Sequence, residues 1–168
     1  MLRKRTNPIA NISLVLRKRW PKILTHAEEK IPEHVFRYVE KELYSYRFYQ
    51  TALEELKKDL EELAEMYPEA RTDNVAVKKE PGDPVGLAAI RSMIIEGKIK
   101  RNLSHIRKIE AGLKLLRPEE KQLVEKKYFS EDYCTNDQIM LQLQMSRNSF
   151  YRIRNEIIYK FAVVFNVF

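Results

Sequence analysis

Apolar residues recur at intervals of three and four along two long stretches of the chain, and each stretch predicts an amphipathic helix. The first helix is predicted from Glu33 to Tyr67, with a heptad seam formed by Tyr46, Tyr49, Leu53, Leu56, Leu60, Leu63 and Tyr67. The second helix is predicted from Pro84 to Leu116, with Asp83 as its cap. Because each helix has one apolar stripe to bury, we expect the two to pack on each other or on the helices of a second copy.

Three shorter helices are predicted after the long pair. Pro118 opens one that continues through Tyr128, and a second spans Thr135 to Leu143, where Thr135 and Gln138 form a capping box. Ser146 caps the last helix, which is expected to end at about Val164. The predicted fold is therefore all-α, with two long N-terminal helices in a hairpin or coiled coil followed by a C-terminal helix-turn-helix domain.

Proline, glycine and charge divide the chain into three predicted domains. Residues 1–32 contain three prolines and form a basic, poorly ordered extension; residues 33–116 form the long helical pair, with a connector at 68–86; residues 117–168 form the helix-turn-helix domain. The first long helix carries an acidic run and the second a basic one. These runs suit an antiparallel pairing of the helices, or they are two solvated faces.

The net charge of +7 favours a nucleic-acid partner, but its position limits that inference. Residues 1–22 carry seven basic residues and no acid, so they account for the whole excess. A DNA contact by the main body would therefore depend on a local patch. With Cys134 as the single cysteine, the chain has no intramolecular disulfide and no multi-cysteine zinc site, which fits a reducing, cytoplasmic setting.

The residues give little indication of enzyme activity. The three histidines lie far apart with no ligand spacing, and the four glycines form no phosphate-binding motif, so we expect no enzyme activity, no metal and no cofactor. No segment approaches the length of a membrane span, and we expect no membrane association.

The helix that begins after Ser146 divides into two faces. At about 100° per residue, Phe150, Ile153, Ile157 and Phe161 fall on one side, as expected of a packing face. Arginine and asparagine on the other side can bond the edges of guanine and adenine, and arginine and tyrosine can bond phosphates. The alternative is an ordinary surface helix. The candidate DNA-binding residues are Ser146, Arg147, Asn148, Tyr151, Arg152, Arg154 and Asn155.

Several runs of sequence, taken in order, resemble the RinA/ArpU-type phage transcriptional regulators. The runs are VEKELYSYRFYQTALEELKKDL, ARTDN, AAIRSMIIEGKIKRNLSHIRKIEAGLKLL, EKQLVEKKYF and MSRNSFYRIRNEIIYKFA, which together span about Val35 to Ala162. The resemblance implies a C-terminal domain similar to sigma-factor region 4 and activation of phage late genes. It marks Ser146 as the cap, Arg152 and Arg154 as the basic pair of the reading helix, and Ile153, Ile157 and Ile158 as its packing residues. Asn155-Glu156 departs from the pattern, because relatives tend to be basic there.

The resulting expectation is a sequence-specific DNA-binding regulator in the cytoplasm of a bacterial host cell. Its expected partner is double-stranded promoter DNA, and RNA polymerase and a second copy of the chain are candidate partners. Two other classes stay open: a small terminase-like DNA-packaging subunit, which would form large rings, and a helical adaptor, which would bind protein and no DNA.

Overall fold

The computed structural model describes residues 31–68 and 83–168, and within these ranges the chain is helical and contains no strand. The all-α prediction is therefore confirmed. The predictions for the basic extension up to residue 30 and for residues 69–82 of the connector lie outside the described ranges. The helices are α1 (Glu33–Tyr44), α2 (Tyr46–Met66), α3 (Pro84–Leu113), α4 (Pro118–Val124), α5 (Asn136–Gln142) and α6 (Arg147–Phe165), with a π-helical turn at Glu125–Phe129 directly after α4.

The stretch from Glu33 to Tyr67 forms two helices, so the prediction of a single long helix is wrong. Ser45 lies between them with φ −81° and ψ −6°. Its N–H still donates to the Lys41 carbonyl at 3.0 Å, and its carbonyl accepts from the Tyr49 N–H at 2.9 Å, so the helix is interrupted at one residue while these hydrogen bonds are kept. The two halves bury against different partners. α2 packs along α3, whereas α1 packs on α6 and the π-helical turn through Val35, Val39 and Leu43.

α2 and α3 lie against each other in opposite directions. Near the start of α2, burial and the nearby Glu110 carboxylate raise the pKa of the Tyr46 hydroxyl. One turn later the Tyr49 ring stacks on the imidazole of His105, with 4.7 Å between the ring centroids. The seam thus packs within the chain, and Leu63 is its buried residue. Among the described residues, the acidic run of α2 and the basic run of α3 form no ion pair with each other.

The hydrophobic core lies around α6 and is closed by helices from both ends of the chain. Phe150, Ile157 and Phe161 are fully buried at its centre. α4 and α5 contribute one side and the end of α3 another, so the core extends across the predicted domain boundary at residue 117. Its remaining buried members are Val35, Val39, Leu43, Ile109, Leu116, Leu123, Val124, Tyr128, Ile139, Ile153, Ile158, Ala162 and Phe165.

One buried ion pair joins α4 to α6. The Lys160 ammonium donates to both carboxylate oxygens of Glu120, at 2.5 and 2.6 Å. The same carboxylate accepts from the Arg117 backbone N–H at 2.6 Å, which places an acid at the start of α4 where the helix dipole favours it. Burial by itself raises the pKa of Glu120, but the bonds from Lys160 and Arg117 outweigh it and hold that pKa below its usual value.

The predicted helix starts are confirmed. Asp83 accepts from the Val85 N–H at 3.0 Å, and α3 begins at Pro84, within the range predicted for the connector. Thr135 and Gln138 form the predicted capping box. No helix within the described ranges is long and apolar enough to cross a membrane.

Candidate nucleic-acid interface

A tight turn presents α6 to the surface. After α5, the Met145 N–H donates to the Met140 carbonyl at 2.9 Å, which closes the C-terminus of α5 in a Schellman-type pattern. Gln144 supplies the left-handed residue that this turn requires, with φ 51°. Ser146 then caps α6, as predicted, by accepting from the Ser149 N–H at 3.2 Å. The short turn and both helix ends are thus held by backbone and capping bonds.

The two faces of α6 differ as the periodicity predicted. Phe150, Ile153, Ile157 and Phe161 are all buried. The other side of the first three turns carries two arginines and two asparagines, with Glu156 at its edge beside Arg152. The exposed candidate residues are Ser146, Arg147, Asn148, Arg152 and Asn155.

Tyr151 lies at the edge of this face and is half-buried. Its ring packs edge-on against the Phe150 ring, with 5.4 Å between centroids. The guanidinium carbons of Arg147 and Arg154 lie 5.9 and 5.5 Å from the centroid of the Tyr151 ring. Tyr151 therefore acts as a platform that orients two cations on neighbouring turns of the helix.

Arg154, like Tyr151, is a candidate residue that is only partly exposed. Its side chain is 19% exposed, and its guanidinium carbon lies 4.6 Å from the centroid of the Phe36 ring in α1. Its Nε is 3.8 Å from a carboxylate oxygen of Glu40, too far for a hydrogen bond, and is buried with no hydrogen-bond partner. In this structure Arg154 joins α6 to α1, while its predicted contact with phosphate stays a prediction.

Glu40 also anchors the π-helical turn. It accepts a 2.9 Å hydrogen bond from the Tyr128 hydroxyl. Burial and the Glu40 charge together raise the pKa of Tyr128, so the phenol stays a donor. Burial lowers the pKa of the neighbouring Lys127, whose ammonium donates to the Asn136 side chain at 3.0 Å. These contacts fix the start of α5 relative to α1.

Glu156, which was not among the candidate residues, forms an ion pair with the exposed Arg152 of α6. Glu156 accepts from Arg152 at 2.9 Å with one oxygen and from Arg117 at 2.5 Å with the other. Arg117 in turn donates to the buried Glu120 at 3.1 Å. A continuous chain of charges therefore runs from the core to Arg152.

The sequence contained a signal for only part of this arrangement. Arg152 and Glu156 are four residues apart on one helix, a spacing at which an ion pair is expected. The partnership of Glu156 with Arg117 spans 39 residues of sequence and has no local signature. Within the described ranges, no group of three or more histidine, cysteine or acidic side chains is placed to hold a metal ion.

Comparisons with models of known protein families, with curated proteins and with solved structures find no match for this chain. The surface of α6 and the residues that support it are therefore the features from which a function can be inferred.

Proposed function

We propose that this protein is a sequence-specific DNA-binding transcriptional regulator of the RinA/ArpU type, an activator of phage or prophage late genes. In this proposal α2 and α3 form a helical hairpin, and α5, the turn at Gln144 and α6 form a helix-turn-helix. α6 is the helix that enters the major groove. The observation that carries the proposal is the outer face of α6, where Arg147, Asn148, Arg152 and Asn155 are exposed opposite a buried apolar face.

The exposed residues suit both kinds of contact that a reading helix needs. Arg152 and Asn148 lie one turn apart on the outer face, and their side chains can bond guanine and adenine edges. Ser146 and Arg147, at the N-terminus of the helix, suit phosphate contacts, because free N–H groups and the helix dipole attract anions there. RNA polymerase and a second copy of the chain remain candidate partners.

In the absence of DNA, the Glu156 carboxylate affects the charge and the position of Arg152 on the reading face. It accepts a 2.9 Å hydrogen bond from Arg152, which partly compensates the arginine charge and restricts the positions of the guanidinium. Holding an arginine in place lowers the side-chain entropy lost on binding, and the neighbouring negative charge repels phosphates. We therefore propose that Glu156 favours a matched base over the DNA backbone and so contributes to specificity.

The first experiment selects a preferred site from a library of random DNA duplexes and measures binding by fluorescence anisotropy. Arg152→Ala should weaken binding to the enriched duplex by about 1–3 kcal/mol and change binding to a shuffled duplex much less. Arg107→Ala, an exposed arginine on α3, is the matched control and should change neither. Failure to enrich any duplex, or unchanged affinity of a folded Arg152→Ala variant, would reject α6 as the reading helix.

A second variant tests the role of Glu156. Glu156→Gln keeps the shape of the side chain and removes its charge, which releases Arg152 toward phosphates and leaves Arg117 with Glu120 as its acidic partner. We expect tighter binding to the shuffled duplex, a steeper dependence on salt, and a smaller ratio between enriched and shuffled affinities. An unchanged ratio would show that Glu156 is only a structural partner of the two arginines.

A further inference from the structure

Arg117 lies between two carboxylates that belong to different helices. Its terminal nitrogen Nη2 donates to Glu120 at 3.1 Å and to Glu156 at 2.5 Å. Glu120 is the buried acid of α4, whereas Glu156 stands on α6 one turn after Arg152. Arg117 itself is the residue just before α4. One guanidinium nitrogen therefore joins the hydrophobic core to the ion pair on the surface of α6.

The two acids of this network are far less exposed than the two arginines. The Glu120 side chain is fully buried and that of Glu156 is 12% exposed, whereas those of Arg117 and Arg152 are 48% and 63% exposed. A buried carboxylate cannot turn toward water to satisfy its oxygens, so it stays where its donors hold it. Each exposed arginine therefore binds an acid whose own position is fixed.

An ion pair between residues four apart on a helix does not by itself hold an arginine in place. Such pairs are weak when both partners are exposed, because the side chains lose rotamer freedom and water competes for the charges. α1 contains a pair of that kind, in which Arg37 and Glu33 are 78% and 76% exposed. The Arg152 pair differs, because its acid is nearly buried and Arg117 occupies the second oxygen. Without Arg117, the pair of Glu156 and Arg152 resembles the exposed pair of α1.

We infer that Arg117 is a positioning residue for Arg152 and that it acts through Glu156. Anchored on Glu120, it fixes the Glu156 carboxylate, which restricts the guanidinium of Arg152 in turn. What Arg152 then binds rests on the proposed function, which assigns its guanidinium to a base edge. Because that guanidinium is restricted before DNA arrives, less side-chain entropy is lost when it meets a matched base. Arg117 thereby contributes to specificity without contacting a base.

A direct contact with phosphate is the other role open to an arginine at this surface. The contacts of the Arg117 guanidinium disfavour that role. Its Nη2 already donates to two carboxylates, and a phosphate that approached it would be repelled by both of their charges. A phosphate contact strengthens binding to every DNA sequence alike, whereas a positioning residue acts only on the matched site, so binding measurements separate the two roles.

The first test needs no DNA. Arg117→Met keeps most of the packing of the side chain and also the backbone N–H that donates to Glu120, so α4 retains its start. NMR relaxation of the Arg152 Nε–H group reports how far its guanidinium moves on the ps–ns timescale. We expect a restricted group in the wild type and a mobile one in Arg117→Met. Arg107→Met, the matched control on α3, should leave Arg152 as restricted as in the wild type.

The second test uses the enriched and shuffled duplexes. Arg117→Met should lower the ratio between the two affinities by about twofold to tenfold, the range expected when one side chain must be immobilised on binding. In a Glu156→Gln background the same substitution should leave that ratio unchanged, because the charged partner through which Arg117 acts is gone. Arg107→Met should not affect the ratio in either background.

Two results would overturn the inference. One is an Arg152 guanidinium that is already mobile in the wild type, or that stays restricted in the folded Arg117→Met variant. The other is an unchanged ratio in Arg117→Met; if both affinities fall by the same factor, Arg117 is a phosphate contact instead. Failure to enrich any duplex would reject the proposed function, while the relaxation measurement still decides whether Arg117 positions Arg152. Circular dichroism and urea unfolding establish that each variant is folded.

Discussion

Gly112 lies in the last turn of α3, where that helix packs against the ring of Phe161 in α6. A Cβ added at Gly112 would lie 2.3, 2.6 and 3.0 Å from three carbons of the Phe161 ring. Carbon atoms that are not bonded prefer separations of about 3.5–4.0 Å, so the ring or the helix would have to move by about 1 Å or more. Phe161 is fully buried, and its neighbours leave it little room to do so.

The size of the effect follows from two opposing terms. Replacing glycine by alanine within a helix stabilises it by about 1 kcal/mol, and by less in a last turn. Overpacking a well-filled core costs about 1–3 kcal/mol. We therefore expect Gly112→Ala to lower the free energy of unfolding by about 1–2 kcal/mol overall.

Gly97→Ala is the matched control for this prediction. Gly97 is exposed in the middle of the same helix, and a Cβ there would meet nothing within 4 Å. This variant should be more stable than the wild type by about 1 kcal/mol. Urea unfolding followed by circular dichroism, with all proteins at the same low concentration, gives the comparison. Equal stability of the two variants would refute the close approach of α3 to Phe161.

Three further predictions concern the turn, the buried ion pair and the arginine next to α1. Gln144→Gly should raise the free energy of unfolding by about 0.5–1 kcal/mol, because glycine adopts the positive φ without strain; no gain in urea unfolding would contradict that conformation. The lowered pKa of Glu120 means that its charge stabilises the fold above the carboxyl pKa of the unfolded chain, so this contribution is lost as pH falls below about 4.5. Urea unfolding from pH 6 to about pH 3 should show a shallower loss for Glu120→Gln than for the wild type, and parallel curves would contradict the ion pair. Arg154→Met keeps most of the packing against Phe36 and should change the free energy of unfolding by about 1 kcal/mol or less. If Arg154 reaches phosphate, the same variant should bind the enriched and shuffled duplexes more weakly by the same factor. Unchanged binding would show that Arg154 is a packing residue only.

The positions at which helices begin and the faces they bury could be predicted from the sequence. The caps at Asp83, Thr135 and Ser146 act within three residues of themselves, so no distant partner is needed to recognise them. The buried face of α6 was predicted for the same reason, because Phe150 and Ile153 repeat with the period of a single helix.

The interruption of the helix at Ser45 could not be predicted in this way. A continuous apolar period runs through the residue, and its backbone hydrogen bonds are kept. The interruption separates α1, which packs on α6 more than a hundred residues further along the chain, from α2, which packs on α3. Which partner each half meets is decided only when the whole chain folds.

Tertiary contacts likewise decided whether a candidate arginine is exposed or packed against another helix. Arg152 and Arg154 have the same chemistry and stand two positions apart, yet one is exposed and the other packs against Phe36 of α1. The pairing of Glu156 with Arg117 joins helices that are distant in sequence. Sequence periodicity determined which side of α6 faces the core, because that is a property of one helix. Only the tertiary structure decided that Glu156 also binds Arg117 and that Arg154 packs on α1, because each of these contacts requires two segments distant in sequence to be brought together.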